Sequence, residues 1–281
     1  MNFKIYHKLI IVAFWMYSSA LSYAQIRKAD STSVYAVNRL IEIPVSIGLH
    51  VANFYGFDYL TSKPGLTYDQ VMALDANDIW FVDRFAAKQD PSNRLKAHNT
   101  SDVFMNISVG LPVLLGLDKK IRKDWFDLII LYAETQGINS GIYILNASVF
   151  KRTRPFVYHK DVPNYERLAK ETRNSFFSGH VSTAACASFF TAKVYFDYHP
   201  ESGSEKYWLY GAALVPPALV GYYRIRAMKH FPTDVITGTV VGAAVGILVP
   251  HLHKRKKADS GLSIMPYAGS TLGLSASYKF K

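Results

Sequence analysis

The sequence predicts an all-α fold: a bundle of six apolar helices embedded in a membrane, with a short β-hairpin at the C-terminus. Three observations carry that prediction. Six apolar runs follow one another between residues 40 and 252, most of them near the ~20 residues that a spanning helix needs. Several carry polar residues at mid-length, and such residues must face a bundle interior, a water-filled cavity or another protein surface. The tail, residues 272–280, then changes to the two-residue period of a strand.

Composition bounds the function. The chain has 281 residues, enough for one large domain or two. A hydrophobic content of 49% excludes a disordered chain, while a mean hydropathy of +0.04 falls short of a chain buried wholly in lipid. The net charge of +11 points to nucleic acid, an anionic lipid surface or a phosphorylated substrate. Nucleic acid is the weakest of the three and is not expected as a partner. The basic residues form short clusters beside apolar segments, without zinc-finger spacing or a basic helix carrying heptads. Cys186 is the single cysteine, so no internal disulfide or thiolate metal site forms, and it is expected to pack as a small buried residue.

Residues 1–24 read as a signal peptide or an N-terminal anchor. Lys4 and Lys8 precede an apolar run, and Ser22-Tyr23-Ala24 supplies small residues at a cleavage position. Residues 25–257 form the helical domain. Its first candidate helix, 40–57, contains Glu42, His50 and Asn53. A polar stretch follows, with an apolar knot at 78–83 that reads as a short helix on the membrane surface or against the bundle. The next candidates are 102–117; 125–150, with Glu134, Gln136 and Asn139; and 181–198, with Lys193. In the fifth, 207–225, Pro216-Pro217 is expected to kink the helix. In the sixth, 233–252, Gly238, Gly242 and Gly246 permit close helix contact. Residues 258–281 are a strand-like tail; one hairpin cannot close a barrel.

The basic clusters at 119–123 and 254–257 belong in the cytoplasm by the positive-inside rule. Counting helices from there puts Arg154, Ser178 and Arg224 together on the outer side. The outward-directing leader agrees if 40–57 and 102–117 both cross the membrane, or if both lie flat. A soluble helical bundle formed after export is the alternative.

Three stretches on that side carry chemistry: Phe-Lys-Arg-Thr-Arg-Pro at 150–155, Phe-Phe-Ser-Gly-His at 176–180, and Tyr-Arg-Ile-Arg-Ala-Met-Lys-His-Phe-Pro-Thr-Asp at 223–234. Arg154 and Arg224 offer planar forks of donors to phosphate oxygens. Ser178 and the amides around Gly179 open a helix, where the dipole favours an anion. His230, four residues before Asp234, is placed to donate one ring N–H to that carboxylate and attack phosphorus with the other nitrogen. His180 is then the acid that protonates the leaving oxygen. With both groups supplied by the chain, no metal or cofactor is expected.

In this order the stretches resemble the three signature motifs of the type-2 phosphatidic acid phosphatase family, which shares its core with vanadium-dependent haloperoxidases and bacterial class A acid phosphatases. The resemblance covers roughly 102–253, with a motif core at 147–238, and implies the six-helix core bundle of that superfamily. It also implies that His230 is a phosphohistidine nucleophile oriented by Asp234, that His180 is the acid, and that Arg154, Arg224, Ser178 and Gly179 hold the phosphate. Three positions depart from the family pattern. Ala147 stands where the first motif has a lysine, Phe177 where a proline precedes Ser-Gly-His, and Tyr223 where a serine precedes Arg224. Lys151, one helical turn beyond Ala147, is the expected replacement.

The function so implied is a metal-independent phosphatase acting on a lipid phosphate or pyrophosphate. It would work through a phosphohistidine, at the periplasmic face of the inner membrane of a bacterial cell envelope. Phosphatidic acid, phosphatidylglycerol phosphate, undecaprenyl pyrophosphate and lipid A phosphates are not separated by the sequence. The alternatives are a soluble exported acid phosphatase acting on small phosphate esters and a degenerate, non-catalytic envelope protein; a vanadium haloperoxidase is a distant third.

Overall fold

The computed structural model describes residues 33–255 and, beyond them, the backbone of Leu262–Ala268 and Leu272–Tyr278. The expected leader, residues 1–24, lies outside the described residues. Six helices build the bundle: α1 (Arg39–Ser62), α2 (Arg94–Val109), α3 (Trp125–Val149), α4 (Gly179–Tyr198), α5 (Val215–Arg226) and α6 (Pro232–His253). The first is capped as its sequence dictates. The Asn38 side chain accepts from Leu40 N, and Glu42 in the first turn accepts from Asn38 N.

Two helix boundaries differ from expectation, each for a local reason. The second helix starts at Arg94, because its polar opening turns, with His98 and Asp102, face the interior and escape a hydropathy reading. It stops at Val109, and Leu111–Leu117 continues as a 3-10 turn across Gly110 and Pro112. The fifth run is two helices, Glu205–Ala212 and α5, where a single kinked one was expected. Pro216 and Pro217 occupy the first turn of α5, where a missing N–H costs nothing.

α4 is the central element, packed against α2, α3, α5 and α6. Its contact with α6 is backbone on backbone. A Cβ added at Gly238, Gly242 or Gly246 would lie 2.6, 2.1 or 2.5 Å from the carbonyl oxygens of Ser178, Ser182 and Cys186. These pairs advance together, so α4 and α6 run parallel and begin at the same end of the bundle. At the far end Asp197 joins Tyr35, Lys193 and Lys254, and Tyr35, Ile121, Tyr198 and Val249 share a buried cluster with Cys186.

Three segments, Arg39–Ser62, Pro91–Leu117 and Pro232–His253, are long and apolar enough to cross a membrane. They include both helices whose crossing reconciles the leader with the loop charges. α1 leaves Ile47, Val51, Phe54 and Phe57 exposed, an apolar face suited to lipid. Past the bundle, Leu262–Ala268 and Leu272–Tyr278 pair antiparallel, Leu262 opposite Tyr278. This pair adds no sheet layer, and the fold is an all-α bundle.

Candidate active site

The end of the bundle where α4 and α6 begin holds a cavity of about 440 Å³. Arg154, His180, Arg224, Lys229 and His230 line it, with Phe57, Leu60, Met105 and Tyr143 as its apolar wall. Each residue arrives by a different local device. Arg154 is held extended before Pro155 (φ −72°, ψ 149°), with its N–H on Thr172 O at 2.8 Å. Arg224 is in the last turn of α5 and His180 in the first turn of α4, while Lys229 and His230 lie in the loop that enters α6. Gly179 fits because Tyr143 packs over it: a Cβ there would sit 3.1 Å from the ring. Both helix N-termini, at Gly179 and Pro232, favour negative charge at this end.

His230 is 2% exposed, and its ring is oriented differently from the sequence expectation. Nδ1 lies 2.7 Å from the Ser175 carbonyl and 3.9 Å from the Asp234 carboxylate. The backbone carbonyl, not the carboxylate, therefore takes the Nδ1 proton, which leaves Nε2 as the free lone pair, 3.5 Å from Arg224 Nη2. Asp234 acts one step removed. It accepts from Ser175 Oγ at 2.6 Å, from Phe231 N at 2.8 Å and from Arg152. The carboxylate thus fixes the residue whose carbonyl fixes the ring. Burial, with Arg224 and Arg154 close by, holds the His230 imidazole well below its usual range, so it is neutral at pH 7.

Among the described residues, three buried donors at this end of the bundle have no acceptor: Arg154 Nε, Ser178 Oγ and Arg224 Nε. Each buried donor left so costs about 1–3 kcal/mol, which a bound tetrahedral oxyanion would recover. His180 Nε2 lies 3.1 Å from Asp102 Oδ1, and that carboxylate is also 3.6 Å from His98 and 3.7 Å from Arg224. The structure thus brings together Arg154, Ser178, Gly179, His180, Arg224, His230 and Asp234.

Lys151 is not among them. It is exposed and does not line the cavity. The one-turn step from Ala147 assumed a continuing helix, but α3 ends at Val149 and Phe150 is already extended. Near Ala147 the cation is Lys63, whose Nζ donates to the carbonyls of Ala147 (2.9 Å) and Ser148 (3.2 Å) and closes α3. In the cavity the lysine is Lys229, half-buried; its ammonium is pushed down to about 7 by burial and by Arg154, Arg224 and Arg94.

Four further residues escaped the sequence reading. Lys229 lay unremarked within the third motif, where nothing showed which way it points. His98 and Asp102 are one turn apart on α2, polar residues near the start of an apolar run. Arg152 bridges Asp83 (2.6 Å) and Asp234 under the Phe231 ring, while Asp83 accepts from Thr233 N at 3.0 Å, at the start of α6. No spacing rule links residues 83 and 152.

The chain is similar in part to several known proteins. A lipid A 1-phosphatase of Porphyromonas gingivalis is 28% identical over 150 residues, a match spanning 51% of this chain and 29% of that protein. Two solved structures are similar in part. Aquifex aeolicus LpxE has a TM-score of 0.39 at 23% identity, covering 59% of this chain and 90% of that one. A transmembrane PAP2-type phosphatidylglycerolphosphate phosphatase from Bacillus subtilis has a TM-score of 0.41 at 21% identity, covering 73% and 93%. The family model described as PAP2 superfamily matches residues 126–258, just under half of the chain, and that segment carries Arg154, Ser178, His180, Arg224, His230 and Asp234.

Proposed function

We propose that the chain is a phosphatase that removes phosphate from a membrane lipid, with His230 as nucleophile and His180 as leaving-group acid. The observation that carries this reading is the neutral, buried His230 ring with Nε2 free beside Arg224 and unpartnered arginine and serine donors. Nε2 attacks phosphorus in line while the bond to the leaving oxygen breaks and His180 gives that oxygen a proton. His180, now a base, takes a proton from water as the water attacks the phosphohistidine. Inorganic phosphate then leaves, and both rings return to their starting forms. Arg154, Arg224, Ser178 and the amide of Gly179 hold the equatorial oxygens throughout.

A lipid substrate fits the cavity's shape. Its apolar wall comes from α1, α2 and α3, and the outer faces of α1 and α2 expose Phe54, Phe57, Val103 and Ile107. An acyl chain could lie against these faces with its phosphate at His230. The curated relative acts on the 1-phosphate of lipid A by its name, and a glycolipid phosphate is the first substrate to try. The basic residues at 119–123 and 254–255 lie at the end of the bundle remote from the cavity, and with Lys256 and Lys257 next in the sequence they favour a periplasmic site in the inner membrane.

The test is phosphate release by purified protein in detergent. The panel is lipid A 1-phosphate, phosphatidic acid, phosphatidylglycerol phosphate, undecaprenyl pyrophosphate and nitrophenyl phosphate. At least one lipid is expected to exceed the soluble ester in kcat/KM by about 10²-fold, since buried chain contacts favour it. Equal turnover of the soluble ester without detergent would support an exported acid phosphatase. Release from none would support a binding protein that has lost catalysis.

A further inference from the structure

A second cluster of titratable side chains lies far from the phosphate cavity. Glu42 in the first turn of α1, Glu134 in the middle of α3 and His253 at the end of α6 turn inward to one point. His253 is some 19 residues beyond Asp234, about 28 Å along α6. All three side chains are at most 5% exposed. Among the described residues neither carboxylate is paired with a lysine or an arginine.

His253 Nδ1 lies 2.8 Å from the Val249 carbonyl, which directs Nε2 at the two carboxylates. Nε2 is 3.5 Å from Glu134 Oε2 and 3.8 Å from Glu42 Oε1; Glu42 Oε1 also accepts from Asn38 N at 2.9 Å, and among the described residues Glu42 Oε2 and Glu134 Oε2 have no hydrogen-bond partner. One ring nitrogen and two carboxylates therefore converge without a hydrogen bond of ordinary length between them. Two buried carboxylates without a cation would cost several kcal/mol each.

The spacings are long for hydrogen bonds. They are near the edge of a coordination tetrahedron, about 3.4 Å for ligand atoms some 2.1 Å from one ion. A backbone carbonyl on the remote nitrogen is also how metal-bound imidazoles are commonly oriented. One imidazole nitrogen and two carboxylates form a nitrogen-and-oxygen donor set suited to a divalent transition ion.

We propose that Glu42, Glu134 and His253 bind one divalent cation of the zinc type, which joins α1, α3 and α6 at the end of the bundle remote from the phosphate site. The ion takes no part in phosphate hydrolysis; it satisfies three buried ligands and fixes helices that arrive from distant parts of the sequence.

The experiment uses the full chain, purified in detergent with a histidine-free tag and stripped with EDTA. Zinc is titrated against a chromogenic chelator, and thermal unfolding is followed with and without the metal. The parent is expected to bind one equivalent, to unfold at a lower temperature after stripping and to recover on addition of zinc. Glu134→Gln and His253→Gln are expected to bind more than tenfold more weakly while still releasing phosphate, which reports that they fold. Zinc binding well below one equivalent by the parent, with no shift in unfolding, overturns the proposal even if neither variant folds. Equal binding by the variants also overturns it and assigns the metal to surface groups such as His199 with Asp118 and Glu201. Zinc stoichiometry and the thermal shift of the parent are independent of activity, so a chain without phosphatase activity could still show the metal site, and the reverse.

Discussion

Lys229 is the residue at which chemistry and sequence position part company. The lysine missing at Ala147 has no substitute along the same helix, yet a cation reaches the cavity from the loop that precedes His230. Its neighbours Arg154 and Arg224, together with burial, push its ammonium down to about 7. It is therefore charged below that pH; under the proposed function it holds a phosphate only while charged and loses that contact as pH rises. The parent's KM should rise above pH 7. Lys229→Met should raise KM about tenfold at pH 6, the worth of one charge-assisted contact, and abolish the lysine-linked part of the rise. The substrate's own ionisation affects parent and variant alike, so their difference isolates the lysine. Superimposable KM–pH curves would remove Lys229 from the site. The seven residues the structure brings together were legible because each sits in a short local pattern. Lys229, His98, Asp102 and Arg152 were not, because their roles depend on partners that only the fold brings near.

At the scale of the element, the parallel pair α4 and α6 positions the chemistry. Both helices begin at the cavity, and Ser178 N donates to Asp234 O at 3.0 Å, tying the two entrances together. Glycines at four-residue spacing permit that approach, and their spacing was readable from sequence. A leucine at Gly242 would place its Cβ 2.1 Å from Ser182 O, inside contact distance, forcing the helices apart. Gly242→Leu should destabilise the protein by about 1–3 kcal/mol or more and lower its activity through the displaced His180. Gly48 on α1 has no atom within 4 Å of an added Cβ, so Gly48→Ala should leave unfolding nearly unchanged. Comparable thermal shifts for the two variants would contradict a backbone contact between α4 and α6. The divided fifth helix teaches a related lesson. Two prolines signalled an interruption, but whether they kink a helix or start a new one depends on where the preceding helix stops, here Ala212.

For the whole molecule, six helices in the expected order place the cavity at one end and the basic residues at 119–123 and 254–255 at the other. That order was legible because hydropathy alone marks apolar runs. For sidedness the sequence offers the charges at 119–123 and 254–257, which the proposed periplasmic site uses. The buried group formed by Glu42, Glu134 and His253 was not legible, although two of its members stood out as polar residues within apolar runs, since its members come from three distant parts of the chain. The central claim is that His230 carries the phosphoryl group. Rapid-quench labelling with a radiolabelled lipid phosphate tests it most directly, comparing the parent with His230→Ala. The account predicts an acid-labile, base-stable phosphoprotein in the parent, with no label and about 10³-fold slower phosphate release, or less still, in the variant. Label on His230→Ala, or release at the parental rate, would contradict it.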